Sequence, residues 1–226
     1  MIQETTNPMS KSGQGDTDVL RVEALHKSFR QGPLWHRRPI HVLKGASLRV
    51  KPGELVGLVG ENGSGKTVLM QIVVGLQARD SGTVDRAERI GYCPQVPMLW
   101  DKLTVDEHFD LFASAYALEE GPAKEARARV LEELRFERYH NYRVEHLSGG
   151  TRQKLNLALA LMHEPRLLLL DEPYAGFDWE TYVRFWELSE NRRKAGMGIL
   201  VVSHLLAERE RLDRIYELQE GRCTVQ

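Results

Sequence analysis

Apolar and polar residues alternate in two stretches near the beginning of the chain, residues 19–29 and 41–50. Such alternation is typical of half-buried strands, and two neighbouring stretches predict an antiparallel pair. Residues 30–40, between them, contain two prolines and a glycine among polar and basic residues. Because these residues interrupt regular structure, we expect an exposed connection that is too long for a tight hairpin.

Short, continuously apolar runs alternate with helical patterns in the rest of the chain, which favours an α/β fold with a mostly parallel core sheet. The apolar runs predict buried strands at 54–60, 166–173 and 198–204. Residues 82–94 also have strand character, and residues 213–226 resemble a terminal hairpin that turns at Glu220-Gly221. The helical patterns cover 65–76, 151–163 and 179–196.

The middle of the chain, about residues 96–147, is expected to be helical and inserted between two strands of the core sheet. Thr104 and Glu107 form a capping box that opens a helix through about Ala117. Pro122 is expected to start a second helix whose charged residues suit a solvated face.

Composition excludes several classes of protein. The chain has 226 residues and a formal net charge of -1, from 31 basic and 32 acidic residues, whereas wholesale nucleic-acid binding usually needs a basic excess. No run of about 18 apolar residues is present to span a membrane. Residues 1–18 are polar, lack the apolar core of a secretory signal and are expected to be disordered.

Cysteine and histidine positions do not predict a zinc site. Cys93 and Cys223 lie beside strand-like runs and are expected to be buried free thiols, as in a reducing cytoplasm. Seven histidines are interpreted as surface or capping residues without metal spacing: His26, His36, His41, His108, His140, His146 and His163.

A glycine-rich segment between a predicted strand and a predicted helix matches the phosphate-binding P-loop pattern, GxxxxGK[ST]. The segment reads Gly60, Glu61, Asn62, Gly63, Ser64, Gly65, Lys66 and Thr67. Its glycines allow backbone N–H groups to surround phosphate oxygens at a helix N-terminus. Lys66 is expected to reach the β- and γ-phosphates of ATP, and the Thr67 hydroxyl to ligate Mg²⁺. The alternative is a chance glycine-rich turn.

An apolar strand at 167–170 ends in two carboxylates, Asp171 and Glu172. We expect Asp171 to hold Mg²⁺ and Glu172 to polarise an attacking water as general base. Taken alone, the pattern is also compatible with a strand that only begins a turn before Pro173.

The segment Leu147-Ser148-Gly149-Gly150-Thr151 resembles the signature of the ABC ATPases. Ser148, Gly149 and Gly150 precede a helix and would form a second phosphate-binding helix N-terminus. The resemblance implies that this segment contacts the γ-phosphate of ATP bound on a partner domain. A simple helix N-cap would explain the segment alone, but not its position between a P-loop and a carboxylate strand.

Three further residues match that family in order, and a fourth, Phe29, resembles one of its residues separately. Gln95 resembles the Q-loop glutamine that senses Mg²⁺ and the attacking water, Asp178 the D-loop aspartate of the dimer interface, and His204 the switch histidine at the γ-phosphate. Phe29 resembles the aromatic residue that stacks on adenine. Each match is weak by itself, and Phe29 could instead be a core aromatic at a strand end.

The resemblance covers about residues 19–226, with departures at four positions. Phe177 and Trp179 add bulk at the expected dimer interface, Tyr174 replaces a smaller residue, and Thr151 replaces glutamine at the end of the signature. None of these changes removes a catalytic group. Within the family, the chain is most similar to single-domain ATPase subunits of bacterial drug, antibiotic and bacteriocin exporters.

The resemblance implies that two copies, or one copy and a homologue, enclose two ATP–Mg²⁺ between them. The chain would drive separate integral membrane subunits from the cytoplasmic face of the membrane, and nucleic acid would not be a partner. A mechanical or regulatory ABC ATPase remains the alternative. DNA-repair and translation members of the family fit a chain of 226 residues poorly. The transported substrate is not encoded here.

One apolar run follows Gln95 directly, at residues 96–100. Because loops are normally polar, an exposed apolar run predicts contact with a partner, and the resemblance implies that this partner is a membrane subunit that docks near Gln95. Alternatively, Leu99 and Trp100 turn inward and pack between the subdomains.

Overall fold

The computed structural model describes residues 18–33, 38–203 and 206–226. His204 and almost all of the N-terminal extension lie outside the described residues. The strands are β1 Leu20–Gln31, β2 Arg38–Val50, β3 Leu55–Val59, β4 Ser81–Arg86, β5 Ile90–Cys93, β6 Leu167–Asp171, β7 Gly198–Val202, β8 Arg214–Gln219 and β9 Arg222–Val225. The α-helices are α1 Lys66–Val74, α2 Val105–Ala115, α3 Glu120–Glu133, α4 Gly149–Leu161 and α5 Trp179–Lys194. Three short 3-10 helices cover Glu137–Tyr139, Val144–His146 and Leu206–Arg211.

Two sheets form the framework. An antiparallel sheet has the strand order β2-β1-β4, and a six-stranded sheet has the order β5-β6-β7-β3-β8-β9. Within the larger sheet the first five strands are parallel and β9 pairs antiparallel with β8. The predicted α/β class, the antiparallel sheet and the terminal hairpin are therefore confirmed. The insertion between β5 and β6 contains α2, α3 and α4.

The connection between β1 and β2 is shorter than the sequence predicts. Arg30 pairs with Pro39 and Gln31 with Arg38, so both ends of the predicted loop belong to strands. The prediction was wrong at Pro39 because β2 is an edge strand, where a residue without an N–H is tolerated.

Capping residues set the starts of the helices. The predicted capping box is present: Thr104 accepts a hydrogen bond from the Glu107 backbone, and Glu107 accepts one from the Thr104 backbone. Helix α3 begins two residues before Pro122, which a helix tolerates in its first turn. Helix α4 begins at Gly149, earlier than predicted, because Ser148 caps it.

The core lies on both faces of the parallel sheet. In β6, Leu168 and Leu170 face the cluster formed with α4 and α5, whereas Leu167 and Leu169 face the cluster formed with α1 and the antiparallel sheet. A strand buried on both faces has no alternation, which explains the continuous apolar run in the sequence. No helix in the described part of the chain is both long and apolar enough to cross a membrane.

Candidate functional site

The P-loop connects the end of β3 to the first turn of α1. Gly60, Gly63 and Gly65 all have positive φ, which only glycine adopts readily. A β-carbon at Gly65 would also lie 2.8 Å from a methyl carbon of Val42 on β2. The loop therefore requires glycine both for its backbone turn and for its close approach to the antiparallel sheet.

Lys66 is buried at the start of α1, and its ammonium donates to the carbonyls of Gly60 at 2.7 Å and Glu61 at 2.9 Å. Burial lowers the pKa of Lys66, against the opposing effect of the carboxylates of Glu172 and Asp171. The Lys66 ammonium is thus held against the P-loop, where it is predicted to contact the phosphates.

The predicted magnesium ligands converge beside Lys66. The Thr67 hydroxyl donates to the carboxylate of buried Asp171 at 2.9 Å. A hydroxyl and a carboxylate are hard oxygen donors of the kind that Mg²⁺ takes in small number, together with water and phosphate oxygens. No group of three or more His, Cys, Asp or Glu residues that would enclose a metal occurs in ranges 18–33, 38–203 and 206–226. These residues fit Mg²⁺ bound together with a nucleotide.

The predicted general base lies next to this pair. The Gln95 amide donates to the Glu172 carboxylate at 3.0 Å. Gln95, which follows β5, and Glu172, which follows β6, are therefore in direct contact. Glu172 has φ of 50°, a left-handed conformation that costs free energy for a residue with a side chain. Such backbone strain is concentrated at functional sites.

One cavity of about 670 Å³ joins these residues and is here called the P-loop cavity. Its volume falls in the range of small-molecule sites. It is lined by Phe29, Val42, Asn62, Gly63, Gly65, Lys66, Thr67, Val68, Gln95 and Glu172. Val42 is the member that sequence reasoning missed, because an aliphatic residue in a strand carries no signal of a site.

Phe29 is 38% exposed at the edge of the P-loop cavity, which argues against its being a core aromatic. The Lys27 ammonium lies 5.1 Å from the centroid of its ring and 3.4 Å from the Asp80 carboxylate. Phe29 is therefore an accessible aromatic surface within the same cavity as the P-loop.

The predicted signature segment, Ser148–Gly150, lies at the N-terminus of α4. The Ser148 hydroxyl accepts from the Thr151 backbone at 3.2 Å and lies 2.7 Å from the Thr151 hydroxyl. A β-carbon at Gly149 would meet nothing within 4 Å, whereas one at Gly150 would lie 2.4 Å from the Gly176 carbonyl oxygen. The signature thus packs directly on the segment that leads to Asp178.

A second cavity, of about 250 Å³, opens between these two segments and is here called the signature cavity. Its lining residues include Arg135, Arg138, Ser148, Gly150, Thr151, Lys154, Gly176 and Asp178. Asp178 caps α5 by accepting from the Thr181 backbone at 2.7 Å, a bond that lowers the pKa of Asp178. The two cavities share no lining residue.

The bulky residues near Asp178 have different environments. Tyr174 and Phe177 pack against the ring of Phe185, and the Tyr174 hydroxyl donates to Ser203, immediately before His204 in the sequence. Trp179 is instead 77% exposed. Trp179 therefore adds bulk to the exposed surface, whereas Phe177 is half-buried and lines the signature cavity.

The run at residues 96–100 lies along a third cavity, of about 680 Å³, here called the apolar groove. Trp100 is 53% exposed, whereas Leu99 packs against the core. The inward alternative is therefore correct for Leu99 and wrong for Trp100. The lining residues include Arg86, Glu88, Ile90, Tyr92, Pro94, Met98, Leu99, Trp100, Phe112, Tyr116 and Asn156.

Two histidines interpreted as surface or capping residues are buried. His108 Nε2 accepts from the Trp100 backbone at 3.0 Å, and Nδ1 donates to the Thr104 carbonyl at 2.8 Å. Burial lowers the pKa of His108, which favours the neutral ring that this bonding needs. His163 stacks on Tyr116 with centroids 3.7 Å apart. The prediction was wrong because a histidine whose ring contacts two partners, by hydrogen bonding or stacking, can be buried in a core.

The expected free thiols are present: Cys93 is fully buried and Cys223 is half-buried. Burial is the main cause that raises the pKa of Cys93, with a smaller contribution from Asp171.

A glycine loop, a buried lysine and Glu172 around one cavity, with Asp171 bonded to Thr67 beside them, define a P-loop nucleotide-binding domain. A family model described as "ABC transporter" matches residues 43–175, more than half of the chain. The chain therefore belongs to the ABC transporter family, and its domain is an ABC ATPase domain.

Related proteins agree with this assignment. The chain is 34% identical over 80% of its length to the linearmycin resistance ATP-binding protein of Bacillus subtilis (strain 168) and 36% identical over 80% to a Nod factor export ATP-binding protein of Burkholderia orbicola (strain AU 1054). It spans 62% and 64% of the lengths of these two relatives.

A solved structure resembles the whole fold. It is a dimeric ATP-binding cassette in a post-hydrolysis state bound to ADP and Pi. The TM-score is 0.81 at 25% identity, and the match covers 92% of this chain and 97% of that one.

Proposed function

We propose that the chain hydrolyses ATP in a dimer, with each nucleotide held between the P-loop of one domain and the signature of the other. The observation that carries this proposal is the separation of the two cavities within one chain. Two helix N-termini that open into different cavities of one chain are explained if the signature of one chain binds the ATP held by the P-loop of the other. The dimeric form of the similar cassette supports the same arrangement.

Within each site, the chain's own residues provide binding, orientation and proton transfer. Lys66 and the P-loop N–H groups hold the phosphates, and Thr67 and Asp171 would hold Mg²⁺, which would supply positive charge next to them. Glu172 accepts a proton from the attacking water while the water oxygen bonds to the γ-phosphorus and ADP leaves. Gln95, which reaches the Glu172 carboxylate at 3.0 Å, orients this base.

We further propose that the protein is the ATP-binding subunit of an exporter and lies at the cytoplasmic face of a membrane. The names of the two curated relatives, which concern resistance and export, support this direction. Separate membrane subunits would dock in the apolar groove, where exposed Trp100 and Met98 follow Gln95 by a few residues. Aromatic and methionine side chains are enriched at such interfaces.

Mixing two inactive variants tests the shared site. Ser148→Arg blocks the signature with a bulky side chain, and Lys66→Ala removes the phosphate charge from the P-loop. A mixed dimer contains one site with both lesions and one site with neither, so partial recovery of ATP turnover is expected. Absence of recovery, in dimers shown to have mixed by a tag pull-down, would contradict sharing between chains.

A further inference from the structure

Three buried polar residues form a connection between α4 and the end of β5. Asn156 Nδ2 donates to the Pro94 carbonyl at 2.8 Å and lies 3.2 Å from Cys93 Sγ. Gln153, one helical turn earlier, reaches the same sulfur at 3.8 Å and accepts from Asn156 at 3.5 Å. Polar groups in a core are costly unless they are satisfied, so this cluster fixes one arrangement of α4 against β5.

The connection lies between the two predicted halves of the site. Pro94 directly precedes Gln95, whose amide contacts Glu172. Asn156 is eight residues after Ser148, and α4 continues without interruption between them, a distance of about 12 Å along the helix. A displacement of Asn156 is therefore transmitted along a rigid helix to the signature.

We propose that Asn156 is a positioning residue, which ties the signature helix to the backbone before Gln95 so that the signature and the general base keep one relative position. The inference rests on the proposed role of Ser148 in the partner's site. Apolar packing alone would leave α4 able to slide, because dispersion and burial have little directionality, whereas a hydrogen bond between an amide and a carbonyl does not tolerate such a shift.

The same residue faces the apolar groove. Pro94 and Asn156 both line it, together with Leu99 and Trp100. A partner bound in the groove would therefore contact Pro94 and Asn156, which form the connection. This placement explains how occupation of the groove reaches the signature without any contact to the nucleotide.

The test separates turnover from nucleotide binding in the full chain. Asn156→Ala is expected to lower kcat by about tenfold or more, since a misplacement of about 1 Å can cost up to about 10²-fold. The Kd for Mg-ATP, measured by calorimetry, is expected to stay within about twofold, because Asn156 does not line the P-loop cavity. In a Glu172→Gln background, Asn156→Ala should also reduce the ATP-bound dimer seen by size-exclusion chromatography.

Ser189→Ala is the matched control. Ser189 is buried in α5 and its hydroxyl donates to the Phe185 carbonyl at 2.8 Å, so the variant also loses one buried hydrogen bond but leaves the connection intact. It is expected to lower the melting temperature while kcat of the folded protein is unchanged. If Asn156→Ala does not fold, Asn156→Ser, which keeps a polar atom in the core, is measured in the same way.

The outcomes are distinct. A wild-type kcat in the Asn156 variant beside an inactive Ser148→Arg protein would overturn the positioning role alone. A parallel loss of kcat and of Mg-ATP affinity would also overturn it, because that pattern indicates general damage. Full turnover in Ser148→Arg would overturn the shared site and this inference with it.

Discussion

The P-loop cavity and the signature cavity are both built around a helix N-terminus, at α1 and at α4. The P-loop cavity brings a lysine, a hydroxyl, an amide and a carboxylate together in one chain. The signature cavity is lined by the basic residues Arg135, Arg138 and Lys154, and Gly149, next to its lining residues Ser148 and Gly150, faces open space. The groups that hydrolysis would need are thus in the first cavity, whereas the second has basic side chains but no such set of groups.

Removing the general base gives the largest expected effect and tests whether the P-loop cavity contains the chemistry. Glu172→Gln keeps the shape of the side chain, and it can still meet Gln95, but it cannot accept a proton. Turnover should fall by about 10²–10⁴-fold, while the Kd for Mg-ATP by calorimetry changes little. Size-exclusion chromatography with ATP should show an accumulated dimer. Near-normal turnover in this variant would remove Glu172 from its role.

Two adjacent glycines of the signature separate packing within the chain from space that is open to a partner. Gly150→Ala places a β-carbon 2.4 Å from the Gly176 carbonyl, so the free energy of unfolding of the isolated domain should fall by about 1–3 kcal/mol. Gly149→Ala meets nothing within 4 Å and should leave stability equal or slightly higher, because alanine favours helix. Denaturant unfolding measures both.

The Gly149→Ala variant also tests the proposed dimer. If the space at Gly149 receives the partner's phosphate, Gly149→Ala should reduce the ATP-bound dimer in a Glu172→Gln background despite its intact fold. A stable Gly149→Ala protein that dimerises normally would show that this space is not used.

Phe29→Ala tests the edge of the P-loop cavity. Loss of a stacking surface typically costs about 1–3 kcal/mol per base, so affinity for Mg-ATP should fall by about 5- to 150-fold. Phe29→Tyr keeps the ring and is expected to bind as wild type. Because the P-loop is untouched, affinity for inorganic triphosphate should be the same in all three proteins. Equal ATP affinity in the alanine variant would assign Phe29 a purely structural role.

The sequence allows the P-loop half to be predicted more fully than the rest. Its residues are brought together by strand order, and the carboxyl ends of parallel strands converge at one edge, so Gln95 and Glu172 meet although 77 positions apart. Local patterns also place the capping box and the terminal hairpin correctly.

The errors arise where tertiary packing supplies partners that sequence does not show. His108 and His163 are buried because a carbonyl, a backbone N–H or an aromatic ring receives them from another element. Pro39 lies in a strand because that strand is at a sheet edge. The connection through Asn156 had no signal, since an asparagine in a helix usually faces solvent.

The smallest expected effect on the isolated domain concerns the apolar groove. This groove lies outside both cavities but adjoins Gln95. The backbone of Trp100 is held by His108, whereas its side chain is more than half exposed. Trp100→Ala should therefore change the melting temperature of the isolated domain by no more than a few degrees. Phe109→Ala, which deletes a fully buried ring, should lower the free energy of unfolding by about 3–5 kcal/mol. This variant is the reference for the loss expected at a core residue. In a complex with the proposed membrane subunits, Trp100→Ala should abolish their stimulation of ATP turnover while basal turnover stays the same. A loss of stability as large as that of Phe109→Ala would instead make Trp100 a core residue and remove the groove's exposed anchor.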